Sequence, residues 1–237
     1  LSLKEKTVDG KTIGELIANA EVFNDDVIYS VDKAIVKSDG LAILKGNLAP
    51  DGAVIKPPAA EAHLLKHTGK AVVFKNYDDL SARIDSADLE IDANSVIVLQ
   101  NAGPQGAPGM PEAGYIPIPM KLARAGVKDI VRISDGRMSG TAFGTIVLHV
   151  TPESAIGGPL AYVQNGDRIR LSVENRELSL LVSDAELARR QAEKPAVVPT
   201  AQRGYRKLFL QSVTQADKGA DFDFLMPPMT GVVPKVK

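Results

Sequence analysis

The sequence predicts a mixed α/β domain, with a barrel-like or two-layer β core flanked by helices. Three observations predict it. Between Leu41 and Val150, short apolar runs alternate with helical segments, a rhythm that favours layered α/β architecture. After Val150 the pattern changes to hairpins, with Ile169-Arg170-Leu171-Ser172-Val173 alternating apolar and polar as a half-exposed strand does. Two apolar runs, 95–100 and 129–133, end in permissive loops rich in Gly, Pro and hydroxyls, a common way to build a site.

The elements follow in order. Thr12 caps a short helix with Ile13, Leu16 and Ile17 on one face and Glu15 at its third position. Asn24-Asp25-Asp26 breaks it, and Val27-Ile28-Tyr29 reads as a short strand. Leu41-Ala42-Ile43-Leu44 is a strand, residues 47–52 a turn, and Ala53-Val54-Ile55 a strand again. Residues 59–67 are expected to be helical, 70–76 a strand and 77–85 a helix. The run Ser95–Gln100 is a strand, and 101–112 is too rich in Gly and Pro to be regular. A helix over 118–125 closes at Gly126, Asp129–Ile133 is a strand, and 145–150 is apolar once more. Leu160-Ala161-Tyr162-Val163 leads to a hairpin signal at Asn165-Gly166-Asp167. The strands 169–173 and 178–182 turn at Glu174-Asn175-Arg176. Ser183-Asp184 caps a helix through Lys194, which Pro195 ends, and a last helix runs from about Gln202 to Ala216. The tail from Met226 holds three prolines and is expected to be irregular.

Composition narrows the function. The 237 residues suit one large domain or two small ones. The net charge of −1, with both signs interspersed, argues against a nucleic-acid partner, which would call for a basic face. No apolar run approaches the roughly 20 residues that cross a bilayer, and no signal-peptide pattern opens the chain, so a cytoplasmic setting is expected. The chain has no cysteine, which excludes disulfides and any thiolate-held zinc or iron–sulfur site within it. His63 and His67 stand i,i+4 on the expected helix, a spacing that can bind a metal. The helix lacks the internal Glu of the protease motif and shows no third ligand, so a solvated helix face is the plainer reading. His149 does not complete a catalytic trio with them.

Two loops carry the chemistry. In Ser134-Asp135-Gly136-Arg137-Met138-Ser139-Gly140-Thr141, glycines let the backbone turn sharply, so that successive N–H groups can converge on an anion. A serine hydroxyl must be activated to act as base or nucleophile. Ser139 has no histidine nearby in sequence, so cationic neighbours or backbone donors would have to supply the activation. Thr141, two residues on, can share its pocket; the plainer reading is a turn whose hydroxyls satisfy their own backbone. Glu112 ends the Gly/Pro-rich loop, which fixes a carboxylate of the kind that Mg²⁺ accepts; an ordinary exposed acid is the competing reading. Gly103-Pro104-Gln105-Gly106-Ala107-Pro108-Gly109 lacks the ending of a phosphate-binding loop.

The stretches Lys45–Lys56, Gly109-Met110-Pro111-Glu112, Ser134–Gly140, His149-Val150-Thr151-Pro152-Glu153 and Gly157-Gly158-Pro159-Leu160 resemble the dihydroxy-acid/phosphogluconate dehydratase family. The resemblance runs from about Asp39 to Arg190. Gly140-Thr141-Ala142-Phe143-Gly144 and the segment 215–224 look like the branch acting on sugar acids such as arabinonate and xylonate. The resemblance implies a C-terminal domain of a longer hydro-lyase. Its fold would be a swivelling β/β/α barrel flanked by helices, similar to the C-terminal domain of aconitase-like enzymes. Ser139 matches the alkoxide base, Thr141 its neighbouring hydroxyl, and Glu112 a carboxylate that reaches Mg²⁺, while Arg137 adds positive charge or forms a structural ion pair. The implied cofactors are Mg²⁺ and an iron–sulfur cluster, 2Fe-2S in preference to 4Fe-4S, with the cluster ligands and most Mg²⁺ ligands outside this chain. The implied partners are the sugar-acid substrate, the N-terminal domain of the same enzyme, and further copies in a dimer or tetramer. The expected division is a linker over 1–30, a barrel-like catalytic domain over 31–195, and a helix and tail over 196–237 packing on it. On this reading the chain is a piece beginning in a linker and is inactive alone. The competing functions are the dihydroxy-acid dehydratase of branched-chain amino-acid synthesis, a non-catalytic module, and the small subunit of an aconitase-type hydro-lyase.

Overall fold

A computed structural model describes residues 2–35, 40–140, 143–194 and 198–226. The chain divides into two units, Leu1–Asp39 and Gly40–Lys237. In the first, α1 spans Ile13–Ile17 and opens on the capping box expected of it. The Thr12 hydroxyl accepts from the Glu15 amide at 3.2 Å, and the Glu15 carboxylate accepts from the Thr12 amide at 2.7 Å. Val27-Ile28-Tyr29 is not a strand. The amides of Val27 and Ile28 both donate back to the Asn24 carbonyl, which makes a turn of the segment.

The second unit is built on β1 Ala42–Gly46, β2 Ala49–Ile55, β3 Lys66–Phe74, β4 Val96–Leu99, β5 Val131–Ser134, β6 Ile146–Thr151, β7 Arg168–Ser172 and β8 Glu177–Leu180. These close into a barrel in the order β1-β2-β6-β5-β4-β3-β7-β8. With five α-helices among the described residues, the class is mixed α/β around a closed eight-stranded barrel. The strand–helix rhythm made the parallel half, β3 to β6. The strand–turn–strand segments 41–55 and 169–182 made the antiparallel pairs β1/β2 and β7/β8. The seam is a parallel contact of β1 with β8 at Lys45 and Glu177. Asn47 completes it: its amide nitrogen donates to the Leu180 carbonyl at 2.9 Å, and its oxygen accepts from the Leu180 N–H at 2.8 Å.

Alternation along the parallel strands feeds two cores. Ala71, Val73, Val96, Val98, Val131 and Ile133 point into the barrel. Val72, Phe74, Ile97 and Leu99 point outward, onto Leu80 and Ile84 at α2 (Tyr77–Arg83) and Leu122 of α3 (Met120–Arg124). Strands covered on both faces read as unbroken apolar runs, which is how 71–74 and 96–99 read. Each such buried Val, Leu or Ile contributes about 1.5–3 kcal/mol.

Three expectations are corrected. Residues 59–67 form no α-helix. Two 3-10 turns, Pro57–Ala59 and Ala62–Leu65, precede β3, which starts at Lys66 because 66–70 pair antiparallel with β7. His67 lies in that ladder opposite Leu171, so the i,i+4 helical geometry with His63 does not exist. The run 160–163 is not a strand of a hairpin but part of a 3-10 turn, Pro159–Tyr162. The turn at Gly166 instead feeds β7, with Asn165 accepting the Val73 amide at 2.6 Å. The β1–β2 turn is also tighter than expected, because β2 begins at Ala49.

The later helices need less correction. α4 spans Asp184–Glu193 behind its Ser183 cap, and α5, Gly204–Ser212, is shorter than the expected 202–216. Pro195 and the tail beyond 226 lie outside the described residues.

Candidate functional site

Because β4, β5 and β6 are parallel neighbours, the loops after β4 and β5 and the last residues of β6 meet at one end of the barrel. The loop after β4 turns through left-handed backbone at Asn101, Gly109 and Met110, with φ of 56°, 87° and 49°. Buried carboxylates from the neighbouring elements hold it. Asp135, fully buried just past β5, accepts from the amides of Ala102 at 2.9 Å and Ser154 at 2.7 Å. Glu153, 1% exposed, accepts from the amides of Gln105 at 3.0 Å and Gly106 at 2.9 Å, and from the Gln215 side chain at 2.7 Å. Gln215 returns the bond by accepting the Glu153 amide at 2.9 Å, which ties the segment after α5 to the loop. Burial pushes the carboxyl pKa of both acids up, and the charge of Asp135 adds to the push on Glu153.

Arg137 joins the two loops. Its guanidinium donates to the Met110 carbonyl and to Glu112 Oε1, the latter at 3.2 Å, and its own carbonyl accepts from the Gly114 amide at 2.7 Å. Position 114 must be glycine: a Cβ there would lie 2.6 Å from the Arg137 carbonyl oxygen. Glu112 is half exposed and ion-paired with Arg137, so the ion-pair reading of Arg137 describes its geometry. Ser139 stands two residues past Arg137 and is half buried. Thr141 lies outside the described residues. Neither Ser139 nor Glu112 lines the clefts that flank β3.

At the far end of β5 a buried ion pair braces the return of the same loops. Arg132 Nη2 donates to Asp129 Oδ1 at 2.8 Å, with both side chains at most 4% exposed. Arg132 Nη1 reaches the Ile116 carbonyl at 2.9 Å, beyond Glu112. Asp129 accepts from the Thr145 amide at 2.8 Å and from its hydroxyl at 2.6 Å, where the Ser139 loop re-enters the barrel.

His149 belongs to this end as well. It is half buried on β6, and its amide donates to the Gly136 carbonyl at 3.1 Å, three residues before Ser139. Burial and the nearby Arg137 charge hold its imidazole pKa below the ordinary value. Sequence reasoning passed over His149, Asp135 and Glu153. The available signal was a polar ring inside the apolar run 145–150 and an acid directly after a buried strand.

Among the described residues, no three His, Cys, Asp or Glu side chains converge where a metal could sit. Glu112 offers one half-exposed carboxylate, which suits one ligand of a site whose others come from elsewhere.

The fold is a closed eight-stranded barrel domain with the loops after β4 and β5 gathered at one end. Residues 26–220 match the dihydroxy-acid/6-phosphogluconate dehydratase C-terminal family, and the chain belongs to that family. It is 52% identical over 219 residues to the L-arabinonate dehydratase of Rhizobium leguminosarum bv. trifolii, covering 92% of this chain and 38% of that protein. It is 50% identical over 234 residues to the L-arabonate dehydratase of Azospirillum brasilense, covering 96% and 40%. It is likewise 50% identical over 228 residues to the 6-deoxy-6-sulfo-D-gluconate dehydratase of Pseudomonas putida, covering 95% and 39%. The chain thus spans about two fifths of the length of these relatives.

Proposed function

We propose that this chain is the C-terminal part of a sugar-acid dehydratase, a hydro-lyase that converts a 2,3-dihydroxy acid into a 2-keto-3-deoxy acid. The observation that carries the reading is the junction at Arg137, which ties the Glu112 loop to the root of the Ser139 turn in a chain of this family. The relatives named above, all called dehydratases of sugar acids, support the substrate class.

In this reading Ser139, as alkoxide, takes the C2 proton of the substrate. The C3 hydroxyl leaves with the electron pair of the C3–O bond and is released as water with the proton that Ser139 took, and the resulting enol becomes the ketone by losing its O–H proton and gaining one at C3. Thr141 serves as the neighbouring hydroxyl. Glu112 offers its carboxylate toward Mg²⁺, and the guanidinium of Arg137 keeps that carboxylate in place. An iron–sulfur cluster, 2Fe-2S in preference to 4Fe-4S, would supply Lewis acidity at the departing hydroxyl when bound. The cluster ligands and the remaining Mg²⁺ ligands would belong to the N-terminal domain of the same enzyme, against which this barrel moves as a swivelling domain similar to that of aconitase-like enzymes. The complete enzyme is a cytoplasmic dimer or tetramer.

The test is Ser139→Ala in the complete enzyme. Turnover of a pentonate should fall at least about a hundredfold, with the cluster absorbance unchanged. Turnover retained at the wild-type rate would remove Ser139 as the base.

A further inference from the structure

The strand β6 breaks its own alternation at one residue. Val147 faces the barrel interior, and a regular strand would send His149 the same way, yet Val150 takes that place. The pairing with β2 explains why. Gly52 lies opposite Thr151 and Val54 opposite Leu148, so β6 spends three steps where β2 spends two. One extra residue is a β-bulge, a device that re-aims a side chain and is frequent beside active sites. Here the bulged strand passes through φ of 54° at His149, a left-handed backbone that non-glycine residues adopt sparingly. The result is an imidazole kept out of the barrel's apolar filling, on a residue whose amide is tied to Gly136, the chain neighbour of Arg137, at the root of the Ser139 turn.

The other polar groups at this end of the barrel are engaged. Asp135 and Glu153 accept backbone amides, and Arg137 holds Met110 and Glu112. Among the described residues the ring of His149 makes no hydrogen bond, although its backbone is fastened on both sides: its amide to Gly136, and its carbonyl to the Thr151 hydroxyl at 2.8 Å. A strained backbone that delivers an unengaged, half-buried ring to a loop junction is organised for something that arrives there. Burial and the Arg137 charge favour the neutral ring, which both accepts and donates one hydrogen bond. That is the pattern a hydroxyl group matches.

We propose that His149 is a substrate-contacting, specificity-determining residue, its imidazole hydrogen-bonding a hydroxyl of the sugar acid beyond C3. The proposal rests on the dehydratase reading and adds what distinguishes a polyhydroxy acid from a short 2,3-dihydroxy acid. Ser139 and Glu112 serve the C1–C3 end that both kinds of acid share, whereas His149 serves only the longer chain.

The experiment uses the complete enzyme with His149→Asn, since asparagine tolerates left-handed backbone. His149→Gly, which adopts that backbone freely, is the second variant should the first fail to fold. Two quantities are read: kcat/KM for L-arabinonate, and the competitive inhibition constant of 2,3-dihydroxypropanoate, which has no hydroxyl beyond C3. The expected result is a loss of about tenfold in kcat/KM with the inhibition constant held within about twofold. An unchanged kcat/KM overturns the assignment, and so does an equal loss for both acids, which would mark His149 as scaffolding. If the wild-type enzyme turns over no sugar acid, the dehydratase reading falls and the assignment falls with it. An active wild type with an unaffected variant sinks the assignment alone.

Discussion

Glu153 shows how one side chain sets the behaviour of a loop. Its carboxylate sits among backbone amides, yet burial and the neighbouring Asp135 still raise its pKa. A carboxyl raised in the folded state binds its proton more tightly folded than unfolded. Its contribution to stability is therefore present below the ordinary 4.5 and is lost as pH rises through the folded value. Glu153→Gln removes that dependence. The stability of wild type relative to the variant should be greater at about pH 5 than at about pH 7, read from urea midpoints; no difference between the two would contradict the raised carboxyl. Asp129 behaves in the opposite sense. Burial pushes its carboxyl up, but the Thr145 hydroxyl and amide, the Glu61 amide and the Arg132 charge together outweigh it and leave the pKa lowered. Its contribution is present above the ordinary 3.8 and is lost as pH falls through the folded value. Asp129→Ala leaves Arg132 buried without its partner and should cost about 3–5 kcal/mol in chemical denaturation. A loss below about 1 kcal/mol would mean that Arg132 finds water instead.

At the level of elements, the two loops are defined by where glycine is obligatory. Gly144 has φ of 118°, and a Cβ there would stand 1.9 Å from Arg132 Nη2 and 2.8 Å from Asp129 Oδ1. Gly144→Ala should therefore destabilise by about 2–4 kcal/mol, through strain plus displacement of the ion pair. Gly109, at φ of 87° with nothing within 4 Å of a would-be Cβ, should lose only about 1 kcal/mol as alanine. Equal losses in thermal or urea unfolding would refute the distinction. These requirements also mark what the sequence could and could not disclose. Caps and apolar runs act within a few residues, so Thr12 and Ser183 announced α1 and α4, and the strands of β1/β2 and β7/β8 were readable. Residues 59–67 were misread because the ladder that claims Lys66 and His67 lies more than a hundred residues away, on β7. At the site, Ser139 and Glu112 stood out through their glycine-rich surroundings. Asp135, Glu153 and His149 did not, since their roles depend on backbone amides, a register slip and an arginine that folding alone brings beside them.

For the molecule as a whole, the seam between β1 and β8 is the thinnest join. One parallel contact at Lys45 and Glu177 and the two bonds of Asn47 close the circle. Asn47→Ala deletes both bonds and leaves two backbone groups of Leu180 unpaired, a loss of about 2–3 kcal/mol. Hydrogen exchange at the Leu180 amide should accelerate well before that of the β4–β5 ladder; uniform acceleration would mean that the barrel opens only as a unit. Closure has a further consequence for how this molecule meets others. An open sheet offers a row of idle N–H and C=O groups on which a neighbour can lay down an extra strand, whereas a ring of paired strands leaves no such row. Whatever binds this barrel must therefore recognise side chains on its loops and helices, and a fitting partner would be chosen by shape and charge instead of by backbone templating.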